Sequence, residues 1–311
     1  MPTAIISAAT NSDLDTGSYF ELATRAARTC LEQSRVSVDR VGMLINAGVF
    51  RDNNISEPAV SALIQKRLGL GLEYRPGVVP AFSFDLMNGA TGLLHAITTA
   101  ECFLATGELD YALLVAGDTH PSTQRYAAEF PYTTTAAALL IGTNSTTSGF
   151  STLYTAETAG PAEPSAWVAL GAVGANGRMA MRVRDGMEDP VTLAAEAVRA
   201  CLIGEGLDGD DFTHGRAVLL APAPALGFHA RLAEALDLTP ESVIGVDPAM
   251  GDPYSAAPVH AYLRARDTGA LAAARTVLFL AADDASAACL AYHSQPPTHA
   301  IASRGRQSER H

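Results

Sequence analysis

Lysine, tryptophan and cysteine are scarce in this chain of 311 residues. Lys66 is the only lysine and Trp167 the only tryptophan. The four cysteines, Cys30, Cys102, Cys201 and Cys289, form no C-x-x-C pair. That spacing argues against zinc and dithiol redox motifs, and predicts reduced, buried thiols in a cytoplasmic protein. No run of about 18 apolar residues occurs, so no membrane span is predicted. Met1 to Thr10 lacks both the charged start and the long apolar stretch of a secretory leader. Charged residues make up 17%, against about 25% in a typical domain. The formal net charge of −12 and the pI near 5.0 leave no basic field for phosphate backbones or anionic lipids. The expectation is a protein that docks on neither nucleic acid nor membrane.

Cofactor signals are equally sparse. Gly171 to Gly177 is glycine-rich but lacks the strand–turn–helix setting of a nucleotide loop. Glu188-Asp189 and Asp208 to Asp211 read as acidic helix flanks and turns. Neither a cofactor nor a metal site is predicted.

What the chain has is apolar residues, 48% of the total, arranged in one pattern written twice. Ser18, with Glu21 three positions on, reads as a capping box opening a helix whose apolar face includes Leu22, Ala23, Ala26 and Leu31. A strand over Val41–Ile45 follows, then a helix from about Glu57 to Leu68 and a strand from Val78 to Phe84. After Asn88-Gly89 comes a helix from about Gly92 to Ala105, apolar nearly all round and therefore buried. Strands Tyr111–Ala116 and Ala136–Ile141 close the unit. The same order returns in helix Val191–Ile203, strand Ala217–Leu220, helix Leu226–Leu236 and strand Val243–Val246. A turn at Met250–Pro253, helix Tyr254–Arg266, and strands Thr276–Leu280 and Ala287–Ala291 complete it. This divides the chain into residues 1–150, residues 151–293 and a tail, 294–311, without periodicity. The segment from Gly149 to Met187 joins the halves and holds the first strand of the second. Strands alternating with helices imply right-handed β–α crossovers, and continuously apolar strands imply sheets covered on both faces.

This duplicated order resembles the thiolase-fold superfamily, in particular its β-ketoacyl-acyl-carrier-protein synthase III branch. Phe82 to Leu93 is similar to the branch's nucleophile elbow, where a strand ending in Phe-Asp leads to a cysteine and the buried helix. Glu108 to Asp118 looks like the strand that follows. Leu232 to Glu241 looks like the helix after the catalytic histidine, and Gly251 to Ala257 like the loop that holds the catalytic asparagine. The resemblance implies an α/β thiolase-like fold of two duplicated halves in five layers, αβαβα. It also implies a dimer in which first-half sheets join edge to edge.

The catalytic residues do not carry over. Counting forward from Phe84-Asp85 and back from Gly92 both put the cysteine position on Ala90. The histidine position falls on Pro222 and the asparagine position on Asp252. An arginine that often follows the histidine is Gly227 here, and the glycine-rich turn before the last strand reads Ala281-Ala282-Asp283-Asp284. The stretch from Thr10 to Ser18 is short where active members carry an entrance loop. A methyl group cannot attack a thioester, and proline has no acid–base group.

No catalytic residue is therefore assigned, and the leading expectation is a degenerate ketosynthase III-like subunit. It would pair with an active ketosynthase III-like subunit, as heterodimer or heterotetramer, and shape or stabilise that partner's acyl site in polyketide or fatty-acid-derived biosynthesis. An acyl carrier protein would meet such an assembly through the active partner. Two alternatives stay open. One is an acyltransferase or thioesterase built on non-standard groups. Thr91 and His95, one helical turn apart, head that set, with Asp85, His120, Asp252, Tyr254 and His260 as further groups. The bland readings are a helix-capping hydroxyl for Thr91, a core histidine for His95, a helix-face histidine for His229 and a turn aspartate for Asp252. The other alternative is a homodimeric acyl-ligand-binding or scaffold protein.

Overall fold

The computed structural model describes residues 2–73, 80–143, 148–159, 165–169, 171, 177–184 and 189–294. In chain order the first half contains β1 (Thr3–Asn11), α1 (Tyr19–Ser34), β2 (Val41–Asn46), α2 (Val60–Leu68), β3 (Phe82–Asp85), α3 (Gly92–Leu104), β4 (Tyr111–Asp118) and β5 (Thr135–Thr143). Next come β6 (Gly149–Glu157) and a small ribbon of β7 (Ala166–Trp167) and β8 (Arg182–Val183). The remainder is α4 (Val191–Glu205), α5 (Gly209–Thr213), β9 (Ala217–Ala221), α6 (Phe228–Leu236), β10 (Val243–Gly245), α7 (Ala257–Asp267), β11 (Thr276–Ala282) and β12 (Ser286–His293).

The duplication is visible strand by strand. One sheet runs β1-β5-β4-β2-β3 and the other β6-β12-β11-β9-β10. In each, the first two pairings are antiparallel and the last two parallel. Helices α1 and α2 cover the outer face of the first sheet through Leu22, Ala26, Val60 and Ile64. Helices α4 and α6 cover the outer face of the second through Ala194, Val198, Phe228 and Leu232. Between the sheets lie α3 and α7, which share one core with both. Many of the residues they bury are small, such as Ala96, Ala100, Ala257 and Ala261, which lets the helices pack closely against the sheets. Each large side chain fully enclosed there, such as Leu94 or Ile97, contributes about 1.5–3 kcal/mol. The fold is the five-layered αβαβα expected. No helix among the described residues is long and apolar enough to cross a membrane.

Several boundaries and contacts differ from the sequence reading. Ser18 Oγ accepts from the Glu21 N–H at 3.3 Å, but Glu21 does not complete the box. Its carboxylate pairs with Arg25 at 2.9 Å and Arg67 at 2.8 Å, because those cations lie within reach and the Ser18 N–H bonds Thr16 Oγ1 instead. Strand β3 begins at Phe82, and residues 78 and 79 lie outside the described residues, as do Gly160 to Pro164, Glu188, most of Gly171 to Gly177 and positions 295–311. The expected helix from Tyr254 opens as a tight turn over Tyr254–Ala256, and α7 starts at Ala257, with Pro258 in its first turn. Asp208 and Asp211 form a reciprocal cap that turns the acidic stretch into the short α5. Three cysteines are buried, but Cys102 is exposed on the last turn of α3.

Candidate functional site

The site is built where the elbow between β3 and α3 meets the last hairpin of the second half. Asp85 ends β3, but it is not free for acid–base work. Its carboxylate accepts from the Val60 N–H at 2.9 Å, the Ser61 N–H at 2.8 Å and Asn46 Nδ2 at 3.2 Å, so it caps α2. The chain then turns through Gly89, at φ +55°, where an added Cβ would lie 2.7 Å from Asp283 Oδ2 and 3.2 Å from the Tyr254 hydroxyl. Only glycine allows that approach.

Ala90 follows, 1% exposed, packed with Phe50, Tyr132, Ala166 and Tyr254. Its N–H donates to Asp283 Oδ2 at 3.2 Å. The Tyr254 hydroxyl donates to the same oxygen at 3.3 Å. Asp283 Oδ1 accepts from the Ala285 and Ser286 N–H groups at 3.0 and 2.9 Å and from Ser286 Oγ at 3.3 Å. Both carboxylate oxygens are therefore committed. Cys102 lies ten residues into α3, about 15 Å along the helix from its start, so it supplies no thiol here.

Thr91 and His95 do not form a nucleophile–base pair. Thr91 is the N-cap of α3, yet its hydroxyl makes no capping bond. It donates back to the Asn88 carbonyl at 2.9 Å and accepts from Asn88 Nδ2 at 3.2 Å, because the elbow brings that carbonyl closer than any amide of the helix. The His95 ring nitrogen meets the Thr91 main-chain carbonyl at 3.1 Å and Asn88 Nδ2 at 3.3 Å, and not the hydroxyl.

The facing wall comes from both halves. Asp252 Oδ1 accepts from the Tyr254 N–H at 2.9 Å, and the Asp252 carbonyl accepts from the Thr133 N–H at 2.7 Å. Burial, with the Asp118 and Asp283 carboxylates nearby, pushes Asp252 up to about 7. Tyr254, at φ +46°, stacks on Tyr132 with ring centroids 4.0 Å apart. Phe50 and Phe130 extend this aromatic cluster, and burial raises both tyrosine hydroxyls. Asp118, fully buried at the end of β4, accepts from the Val49 and Phe50 N–H groups and from the Ser255 N–H and hydroxyl. Desolvation raises its carboxyl too.

His229, His120 and His260 each have hydrogen-bond partners outside the elbow. His229 Nε2 donates to the Pro222 carbonyl at 2.7 Å, just past β9, and desolvation lowers its pKa. His120 bonds Ser122 at 2.6 Å and faces Glu129 at 3.2 Å. His260 bonds Thr135 Oγ1 at 3.0 Å and borders an open cleft of about 340 Å³ with Asp247, Met250 and Arg264. Among the described residues, no group of three His, Cys, Asp or Glu side chains could hold a metal ion. Gly227, left-handed at φ +68°, starts α6.

Thus the fold gathers Ala90, Asp252, Tyr254 and Asp283 into one region. Sequence reasoning missed Tyr132, Asp118 and Ser255, whose roles depend on contacts between halves. Asp283 carried a visible signal, an acid in a turn expected to be glycine-rich.

Comparison with solved structures places this architecture. The 3-oxoacyl-(acyl carrier protein) synthase III FabH of Pseudomonas aeruginosa PAO1 superposes with a TM-score of 0.72 over 95% of this chain and 99% of that one, at 19% identity. This chain has the thiolase-like fold. Cerulenin-bound OleA of Xanthomonas campestris gives a TM-score of 0.71 over 94% and 99%, at 15% identity. Curated relatives match the sequence over 99 residues. An acyl-CoA:acyl-CoA alkyltransferase of Xanthomonas campestris is 31% identical there, and a β-ketoacyl-(acyl-carrier-protein) synthase III of Paramagnetospirillum magneticum is also 31% identical. The match covers 32% of this chain and 27–28% of those relatives. No family model matches the chain.

Proposed function

We propose that this chain is a non-catalytic ketosynthase III-like subunit. It pairs with a partner bearing cysteine, histidine and asparagine, and stabilises that partner or shapes its acyl site, in polyketide or fatty-acid-derived biosynthesis. The observation that carries this reading is Ala90. Where a nucleophile would stand at the head of α3 there is a buried methyl group, and the adjacent N–H is taken by Asp283. The Pro222 and Asp252 assignments point the same way. The relation to acyl-condensing proteins supports an acyl-related biosynthetic role.

A surface suited to pairing accompanies the lost chemistry. β3 is an edge strand of its sheet. Phe82 on this strand and Phe103 on α3 are 38% and 40% exposed, with ring centroids 5.3 Å apart, and Met87 of the elbow is 48% exposed. An unpaired edge with aromatic side chains is a template for adding a strand. A partner joined there would extend the five strands into a continuous sheet and place both elbows near the junction.

Acyl transfer through Thr91 has less support, since its hydroxyl serves Asn88 and the imidazole of His95 faces the main chain. The test is co-expression with synthase-like chains encoded beside it, followed by mass measurement of the intact assembly. A mixed assembly is expected, with CO2 release from malonyl thioester only when the partner is present. A chain that releases CO2 by itself at an enzymatic rate would overturn the reading.

A further inference from the structure

We infer that the head of α3 is a carboxylate-binding pocket whose occupant is Asp283, so the chain closes its own elbow against acyl groups. Two donors reach Asp283 Oδ2 from separate places, the Ala90 N–H two residues before α3 and the Tyr254 hydroxyl from the loop before α7, while the Ala285 and Ser286 N–H groups and Ser286 Oγ of Asp283's own turn hold Oδ1. Ala90 precedes the N-cap Thr91, so its N–H stands outside the bonding of α3, and this N–H converging with the Tyr254 hydroxyl favours an anion. Here the anion is present and is covalently part of the chain. The bare Gly89 leaves room for it, since a Cβ there would press on Oδ2. Packing seals the arrangement, because Ala90 is covered by Phe50, Tyr132 and Tyr254.

The consequence concerns charge developing on an acyl oxygen. A thioester carbonyl entering the elbow needs a free N–H donor where its oxygen becomes negative. Asp283 already accepts the Ala90 N–H, and its carboxylate would face the new oxygen with like charge. The elbow is blocked electrostatically as well as sterically. This deepens the proposal of a non-catalytic subunit, but it rests on contacts within one chain and not on any partner.

Formate and acetate are the probes, with chloride at equal ionic strength as control. Asp283→Gly removes the resident carboxylate and keeps the Ala90 N–H and Tyr254 hydroxyl as donors. Its melting temperature should fall, then recover with millimolar formate and not with chloride. The wild-type protein should respond to the two salts alike. Hydrogen exchange at the Ala90 amide should run about tenfold faster in Asp283→Gly and slow again in formate. If Asp283→Gly does not fold, Asp283→Asn serves. It keeps an acceptor but loses the charge, and its Ala90 amide should exchange faster than the wild type. An Ala90 amide unaffected by either substitution overturns the inference, as does formate acting equally on wild type and variant. These results do not depend on pairing, so a failure of the subunit proposal would leave them standing, and the reverse holds too.

Discussion

The Ser255 hydroxyl donates to the Asp118 carboxylate at 2.6 Å, 137 residues away in the chain. The same hydroxyl accepts from the Gly117 N–H at 2.9 Å. One side chain from the loop before α7 thereby ties the second half to the end of β4. Ser255→Ala leaves a buried carboxylate oxygen and a buried amide short of partners. It should cost about 1–3 kcal/mol, read as a lower urea midpoint with an unchanged slope.

Asp252 predicts an unusual pH dependence. Its carboxyl is pushed up to about 7, first by burial and then by the Asp118 and Asp283 carboxylates. In the unfolded chain it titrates near 3.8. Between those values the folded state holds the extra proton, so this group's contribution falls as pH rises from about 4 to 7. Asp252→Asn keeps an acceptor for the Tyr254 N–H and removes the charge. The variant should match the wild type near pH 4 and exceed it by roughly 1–3 kcal/mol at pH 8. Urea unfolding at the two pH values checks this.

His260 works in the opposite direction. Burial lowers it to about 4, against about 6.5 when unfolded. The unfolded chain therefore binds more protons between those values, and this contribution to stability is lost as pH falls from about 6.5 to 4. His260→Gln, which keeps a donor and acceptor for Thr135, should flatten that acid limb in thermal melts.

Ala90→Cys places a thiol at the elbow and, on the proposed reading, does not create a working site. The position is 1% exposed and its N–H is already engaged. Iodoacetamide should label it at least about tenfold more slowly than the exposed Cys102, as peptide mass mapping would measure. Rapid acylation of this variant by a thioester would contradict the closed elbow.

The β3 edge carries the pairing prediction. Phe82→Asp places a charge on an exposed edge position and leaves the core untouched. Circular dichroism should be unchanged, while the intact mass should shift toward the single chain. An unaltered assembly would move the interface to another face.

Much of this molecule is readable from residue order. The two-fold pattern of apolar strands and helices is local, so most strands of both sheets and the layer of buried helices were accessible, while the strand β1 at Thr3–Asn11 was not among the elements expected. The buried character of α3 is visible because Leu93, Leu94, Ile97 and Leu104 recur along it at helical spacing. Helix starts were less legible. Glu21 turned to Arg25 and Arg67, and Thr91 turned back to Asn88, since a side chain takes the nearest good partner and tertiary packing decides which that is.

By itself the sequence determined the duplicated α/β plan and the absence of a sulfur, imidazole or amide at positions 90, 222 and 252. Only the tertiary structure decided what surrounds them. Asp283 reaches the Ala90 N–H across 193 positions of chain, and Asp118 reaches Ser255 across the two halves. Such contacts have no local signature. They arise because packing two sheets around a shared helix layer leaves buried donors and carboxylates that must pair with each other once water is excluded.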